Sequence, residues 1–201
     1  MNAKTTLATL TATLVVGFSA CADDLAVYDF TDKPGSQNEQ APAHAAPGVI
    51  AEPLRRGLGI EIATDVPGTM SAAKWTTDPT QISGNDYFEL TIGPADKSAL
   101  CIREIQFPET VSAKGPTALI VRSSLDNFES DLGDPFLLDP KTPGNPRMLA
   151  LDQRFASLRA PVSFRFYAYG SRSSNGGIWG LGHAGEGGVL KIIGTVKTDN
   201  P

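Results

Sequence analysis

The clearest strand pattern in the sequence is the alternating run Val162-Ser163-Phe164-Arg165-Phe166-Tyr167-Ala168-Tyr169. Every second residue is apolar, so one face of an extended chain carries hydrophobic side chains and the other carries polar and phenolic ones. Ser163, Arg165, Tyr167 and Tyr169 share the second face. This period of two predicts a β-strand that packs one side against a core.

Several further runs have strand character, and each of them is short. They lie at residues 25–30, 58–62, 87–92, 98–107, 117–122 and 189–196. Pairs of Pro and Gly between the runs are typical of turns. In the run 98–107 the apolar positions change parity between Ile102 and Ile105, which predicts a β-bulge or a bend.

About eight short strands without alternating helices predict an all-β fold, an antiparallel β-sandwich of jelly-roll type. Short helical turns are expected in its loops, at residues 125–132 and 152–158. Residues 33–48 and 130–148 are rich in Pro and polar side chains and are expected to be long loops. Trp75 is expected in the core. Residues 23–201 are interpreted as one sandwich domain.

The composition favours some classes of partner over others. The 201 residues contain 17 Lys and Arg against 22 Asp and Glu, a formal charge of −5. This balance argues against a nucleic-acid partner, which requires clustered basic side chains. Two Cys and two His argue against a Cys/His zinc site and a disulfide framework.

The N-terminus has the pattern of an export signal. Lys4 precedes an apolar stretch at residues 7–18, which is too short to span a bilayer. Ala20-Cys21-Ala22 fits a signal-peptidase site, so residues 1–22 are interpreted as a signal peptide and the mature chain as secreted or periplasmic. Phe18-Ser19-Ala20-Cys21 also resembles a bacterial lipobox, and a lipoprotein anchored through Cys21 is the alternative.

Four segments recur in a recognisable order. They are Arg56-Gly57-Leu58-Gly59, Tyr87-Phe88-Glu89-Leu90-Thr91-Ile92, Arg122-Ser123-Ser124-Leu125-Asp126-Asn127-Phe128 and Phe164-Arg165-Phe166-Tyr167. In this order they resemble secreted bacterial β-sandwich proteins of unassigned function, many of which end in a PEP-CTERM sorting tail. The resemblance implies an extracytoplasmic sandwich and no established activity. The chain ends at Asp199-Asn200-Pro201 without that tail, so this sorting route is not expected.

A glycan-binding surface is the first functional hypothesis. Tyr167 and Tyr169 share a strand face with Arg165, and Trp179 follows in a Gly-rich segment that is expected to be an exposed loop. Aromatic rings bind the apolar faces of sugars, and their polar groups bind hydroxyls. These four residues are therefore the candidate ligand site of a non-catalytic module that binds polysaccharide.

Other readings stay open. The protein is alternatively a structural surface or matrix component whose partner is a surface protein and which has no small ligand. A third hypothesis is a glycosidase that uses Glu61 and Glu89 as paired carboxylates. No cofactor is expected, although Asp126, Asp131 and Asp134 are candidates for a structural calcium ion. Arg165 is also expected to pair with an acid on a neighbouring strand, and Phe128 to fill the core.

Overall fold

The computed structural model describes residues 22–64, 66–95, 97–175 and 177–198. The predicted signal peptide, apart from its last residue, therefore lies outside the described residues, and so does Cys21. The described part of the chain forms fifteen strands in two antiparallel sheets that enclose a shared core. This architecture confirms the predicted all-β sandwich.

Eight strands form the first sheet and seven form the second. The first sheet contains β1 (Asp23–Asp29), β3 (His44–Ala45), β6 (Glu61–Ile62), β7 (Thr69–Ala73), β9 (Ser98–Val111), β12 (Asn145–Ala150), β14 (Trp179–Gly182) and β15 (Val189–Thr198). The second contains β2 (Glu39–Gln40), β4 (Val49–Ala51), β5 (Leu54–Arg56), β8 (Phe88–Pro94), β10 (Ala118–Ser123), β11 (Phe136–Leu137) and β13 (Val162–Tyr169).

The chain passes repeatedly from one sheet to the other. From β7 to β10 each successive strand changes sheet, and β12, β13 and β14 do so again. This connectivity is typical of jelly-roll sandwiches. The second sheet has the order β11-β10-β13-β8-β5-β2, so β13 lies near its centre. The side chains of β13 that point away from the core therefore lie in the middle of an outward face.

Several local expectations are confirmed. The alternating run Val162–Tyr169 is β13, and its bounds are those predicted. In β9, Ile102 pairs with Gly194 and Glu104 pairs with Ile193, which leaves Arg103 as the extra residue of the predicted bulge. Two 3-10 turns, at 124–126 and 153–155, lie at or within the predicted helical turns.

Other expectations are wrong. The expected loop 130–148 contains β11 and most of β12, the expected loop 33–48 contains β2 and β3, and only residues 61–62 of the run 58–62 form a strand. Pro146 is tolerated in β12 because, among the described residues, this strand pairs only with β9 and lies at a sheet edge. Trp179 belongs to β14, not to a loop. Gly180 is required there because a Cβ atom would lie 2.7 Å from the Met70 carbonyl oxygen.

An aromatic cluster fills one part of the core. Trp75, Phe88 and Trp179 are buried, with ring centroids 5.4–5.6 Å apart. Trp75 is therefore in the core, as predicted. Aromatic contacts of this geometry stabilise a core beyond their buried area, by about 1 kcal/mol per pair. The cluster joins the two sheets, because Phe88 belongs to the second and Trp179 to the first.

A carboxylate completes this cluster. Glu109 shares the core-facing side of β9 with Phe107 and Val111, and its side chain has no exposed surface. It accepts hydrogen bonds from Trp179 Nε1 at 3.2 Å and from Arg147 Nη2 at 3.0 Å. Burial raises the pKa of the Glu109 carboxyl above its ordinary value, and the hydrogen bonds from Arg147 and Trp179 oppose this only in part.

We expect Glu109→Gln to change how stability depends on pH. The raised pKa of Glu109 means that protonation stabilises the fold, fully below the unfolded pKa and less as pH rises through the folded pKa. The variant keeps an acceptor for Trp179 but cannot titrate. At pH 7 we expect it to lose about 1–3 kcal/mol, because an amide that keeps its oxygen toward Trp179 presents a donor to Arg147 Nη2, where the carboxylate presents an acceptor.

Urea unfolding at pH 7, 5.5 and 4 measures this effect. Wild type should gain free energy of unfolding relative to Glu109→Gln as the pH falls. A constant or shrinking difference would show instead that the attraction of Arg147 outweighs the burial of the carboxyl.

Candidate functional site

A row of charged side chains crosses the outward face of the second sheet. Cross-strand partners bring the residues together from β2, β5, β8, β13 and β10, and a bridge adds a sixth from the following loop. In order across the sheet they are Glu39, Arg55, Glu89, Arg165, Arg122 and Asp131. Three ion pairs form along the row, Arg55–Glu39 at 3.0 Å, Arg165–Glu89 at 2.5 Å and Arg122–Asp131 at 2.6 Å. The row is therefore neutral overall.

Arg165 lies at the centre of this row, and its guanidinium contacts two aromatic rings. Its guanidinium carbon lies 4.1 Å from the ring centroid of Tyr87 and 3.9 Å from that of Phe128. Its Nε donates to Glu89 Oε2, and the Tyr167 side chain also interacts with it. The predicted pairing with a cross-strand acid is confirmed. With two rings and a carboxylate against its guanidinium, Arg165 positions its neighbours and does not line an open site.

Phe128 reaches Arg165 through an unusual backbone conformation. Asn127 and Phe128 have φ angles of 58° and 62°, which are uncommon for residues other than glycine and rare for an aromatic one. Such a conformation costs about 1–3 kcal/mol for each residue unless its surroundings hold it. The expectation that Phe128 fills the core is wrong, because the turn directs its ring over the outward-facing guanidinium of Arg165.

A cleft of about 310 Å³ lies beside this stack. Its lining comes from the segment before β8, from β10, from the end of β13 and from the loop after β10: Thr80, Gln81, Ile82, Ile120, Arg122, Asp131 and Tyr169. Apolar surface from Ile120 and Tyr169 thus meets polar groups from two loops. Such a combination is typical of small-molecule sites.

The Arg122–Asp131 pair still has hydrogen-bonding capacity in the cleft. Arg122 donates from Nε to Asp131 Oδ1 and from Nη1 to the Phe128 carbonyl oxygen at 3.0 Å. Arg122 Nη2 and Asp131 Oδ2 have no hydrogen bond to any residue that the structure describes. A neighbouring donor and acceptor of this kind match two adjacent hydroxyl groups.

The four predicted ligand residues do not form one platform. Trp179 has no exposed surface, so the expected exposed loop Trp is wrong: the ring is part of the core. Tyr167 is only 3% exposed and packs edge-on against Tyr87, because the segment 76–86 lies over this part of the sheet. Tyr169 is half-buried and lines the cleft. Of the four, Tyr169 is placed to contact a ligand, and Arg165 supports the site from beside it.

The proposed carboxylate pair does not form. Glu61 lies at the edge of the first sheet, where it accepts from Lys74 at 2.7 Å, while Glu89 lies in the second sheet and binds Arg165. The two carboxylates are on opposite layers of the sandwich, so the glycosidase hypothesis that rests on this pair is wrong. The alternation of apolar and polar residues along a strand shows which side chains face the core, but it does not show which of the two sheets the strand joins.

Two of the three candidate calcium ligands, Asp126 and Asp131, have protein partners, and Asp134 forms no ion pair with a residue that the structure describes. Asp126 accepts from the Ser130 amide at 3.2 Å and lies 4.0 Å from Arg154, and Asp131 pairs with Arg122. Across residues 22–64, 66–95, 97–175 and 177–198, no group of three or more His, Cys, Asp or Glu is placed to hold a metal ion. Bound calcium remains a prediction for solution measurements.

We expect Arg165→Lys to destabilise the fold by about 1–3 kcal/mol, because an ammonium group cannot stack on two rings and pair with a carboxylate at once. Arg55→Lys is the matched control. Arg55 also pairs with a glutamate on this face, but it is exposed, so we expect a change within about 0.5 kcal/mol. Urea unfolding of both variants measures the difference, and equal effects would contradict a special role for Arg165.

Comparisons with known proteins show a structural likeness without a sequence relative. No family model and no curated protein matches this sequence. Among solved structures, CBM27-1 of Caldicellulosiruptor saccharolyticus, solved in complex with mannohexaose, is similar with 11% identity and a TM-score of 0.39. The match covers 83% of this chain and 95% of that chain. Likeness at this level assigns neither a fold nor a ligand. Within the described residues, no helix has the length and apolar character needed to cross a membrane.

Proposed function

We propose that this protein is a non-catalytic module that binds a neutral glycan in the cleft on the outward face of the second sheet. The proposal is based on one observation: Tyr169 and the Arg122–Asp131 ion pair line the same cleft, and this pair still has a donor and an acceptor without a hydrogen bond to the described residues. A sugar ring has an apolar face for the tyrosine and adjacent hydroxyls for the ion pair.

Charge favours a neutral ligand over an acidic one. Arg122 and Arg165, the guanidiniums of this part of the face, each already bind a carboxylate. An acidic sugar would have to compete with Asp131 or Glu89 for its cation, and an unpaired carboxylate would remain. Hydroxyl groups, in contrast, use the donors and acceptors that the pairs leave available without breaking them.

We further propose that the chain is exported. The pattern of residues 1–22 supports this, with Asp23 as the first mature residue, and acylation at Cys21 is the alternative route. Expression of the full chain in a bacterial host, followed by mass measurement of the processed N-terminus, distinguishes the two. A mature chain that begins at Asp23 supports soluble export, acylated Cys21 supports anchoring, and an intact N-terminus contradicts both.

Native gels cast with polysaccharides test glycan binding. Residues 23–201 should be retarded by at least one neutral polymer among galactomannan, xylan, β-glucan and hydroxyethyl cellulose, and not by alginate or polygalacturonate. We expect Tyr169→Ala and Asp131→Asn each to weaken binding about tenfold or more, as removal of a central contact does.

Glu61→Gln is the matched control, since it also removes a carboxylate from a surface ion pair but lies in the first sheet. It should leave retardation unchanged. Retardation that survives both cleft variants, or that occurs only with acidic polymers, would overturn the proposal. No retardation by any polymer would favour the structural or protein-binding alternative.

A further inference from the structure

An exposed apolar residue lies in line with the cleft. Leu137 of β11 has 76% of its surface exposed, although it sits in a strand of the second sheet. The register pairs Leu137 with Ala118 of β10, and Ala118 with Tyr169 of β13. Residues paired in this way point to the same side of a sheet. Tyr169, Ala118 and Leu137 therefore form one row on the outward face.

We call this row the trough, because its middle position holds the smallest side chain of the three, between a tyrosine and a leucine. Neighbouring strands lie about 4.8 Å apart, so the row crosses three strands at right angles to them. Ala118 is only 7% exposed, so the surface that the row offers to a ligand comes mainly from Tyr169 and Leu137. Among the described strands β11 ends the sheet on this side, so the row reaches the edge of the sandwich at Leu137.

The trough continues the cleft, because Tyr169 belongs to both. We propose that the cleft and the row Tyr169–Ala118–Leu137 form one extended surface for an internal stretch of a glycan chain, which lies across the strands; this rests on the proposed function. One strand spacing of about 4.8 Å is comparable to the length of one pyranose ring. Two rings that are separated by one intervening ring would then contact Tyr169 and Leu137 with their apolar faces, while hydroxyls of the ring in the cleft bind Arg122 and Asp131.

The chemistry of Leu137 supports this occupant. A side chain this exposed loses contact with water only when a partner covers it, and an aliphatic group offers no hydrogen bond to compete with water. A free monosaccharide in the cleft would not reach Leu137 two strands away. A chain that continues past Tyr169 covers it without any change in the cleft itself.

Calorimetry with disaccharides and hexasaccharides of the cello-, manno- and xylo-series tests the proposal on residues 23–201. In at least one series the hexasaccharide should bind about tenfold or more tightly than its disaccharide. Leu137→Asp should remove this gain and leave disaccharide affinity within about twofold, since charge beside an apolar sugar face is unfavourable. Met148→Asp is the matched control, because Met148 is 59% exposed on the first sheet and has no place in the row.

The outcomes separate the two proposals. Equal affinity for short and long chains, or full hexasaccharide affinity in Leu137→Asp, would overturn the extended surface and leave the proposed function standing. Absence of binding by all six oligosaccharides and all the neutral polymers would overturn both. Urea unfolding of each variant shows whether a loss of hexasaccharide affinity is caused by misfolding. Leu137→Ala is a second variant that removes the apolar side chain without adding a charge.

Discussion

The guanidinium of Arg165, held between the rings of Tyr87 and Phe128, is the contact on which the candidate site depends. Both rings lie about 4 Å from the cation, and Glu89 binds its edge. An exposed ion pair contributes little to stability because water competes for both partners. Here the two rings cover part of the guanidinium, and the side chains of Arg165 and Glu89 are 25% and 30% exposed, against 58% and 50% for Arg55 and Glu39. The pair is therefore less accessible to water and restrains three segments of chain together.

The restraint passes from Arg165 to the cleft through the backbone of Phe128. The left-handed conformation that brings this ring onto Arg165 also directs the Phe128 carbonyl oxygen to Arg122 Nη1. Asp131 then takes Arg122 Nε, so two of the three guanidinium nitrogens are bound before any ligand arrives. The fold therefore sets the orientation of Arg122 Nη2. In this way Arg165, which does not line the cleft, influences the geometry of the cleft through Phe128 and Arg122.

Sequence patterns were informative wherever a strand has one buried face. The alternation of β13 and the parity change in β9 follow directly from side chains that face either core or solvent. The bounds of β13 were predicted to the residue, and the bulge at Arg103 lies within the interval predicted for a bulge or bend, between Ile102 and Ile105. The sequence did not predict β14 and most of β12 as strands, because constraints other than a buried face determine their residues. Gly180 is present because a Cβ atom there would clash with the Met70 carbonyl oxygen, and Pro146 is tolerated because β12 is an edge strand. Since glycine and proline are typical of loops, both segments were predicted to be loops.

The site was harder to predict than the fold for a related reason. Alternation shows that Tyr167 points away from the core, but it does not show that residues 76–86 return over the same face and cover it. Likewise the glycines around Trp179 suggested a loop, although they permit close packing of a strand that buries the indole. Sequence parity indicates the direction of a side chain and says nothing about what a distant segment places in front of it.

That covering segment also sets how the cleft can bind. Asp78 Oδ1 accepts from the Thr80 amide at 2.8 Å and the Gln81 amide at 3.2 Å, and the Thr76 carbonyl oxygen accepts from the Ser171 amide at 2.9 Å. Gly170, with a φ of 68°, lets the end of β13 pass close to Pro79. Thr80 and Gln81 are thus ordered before a ligand arrives. A wall that is already ordered loses little conformational entropy on binding, so a few hydrogen bonds and one stacked ring are enough for measurable affinity.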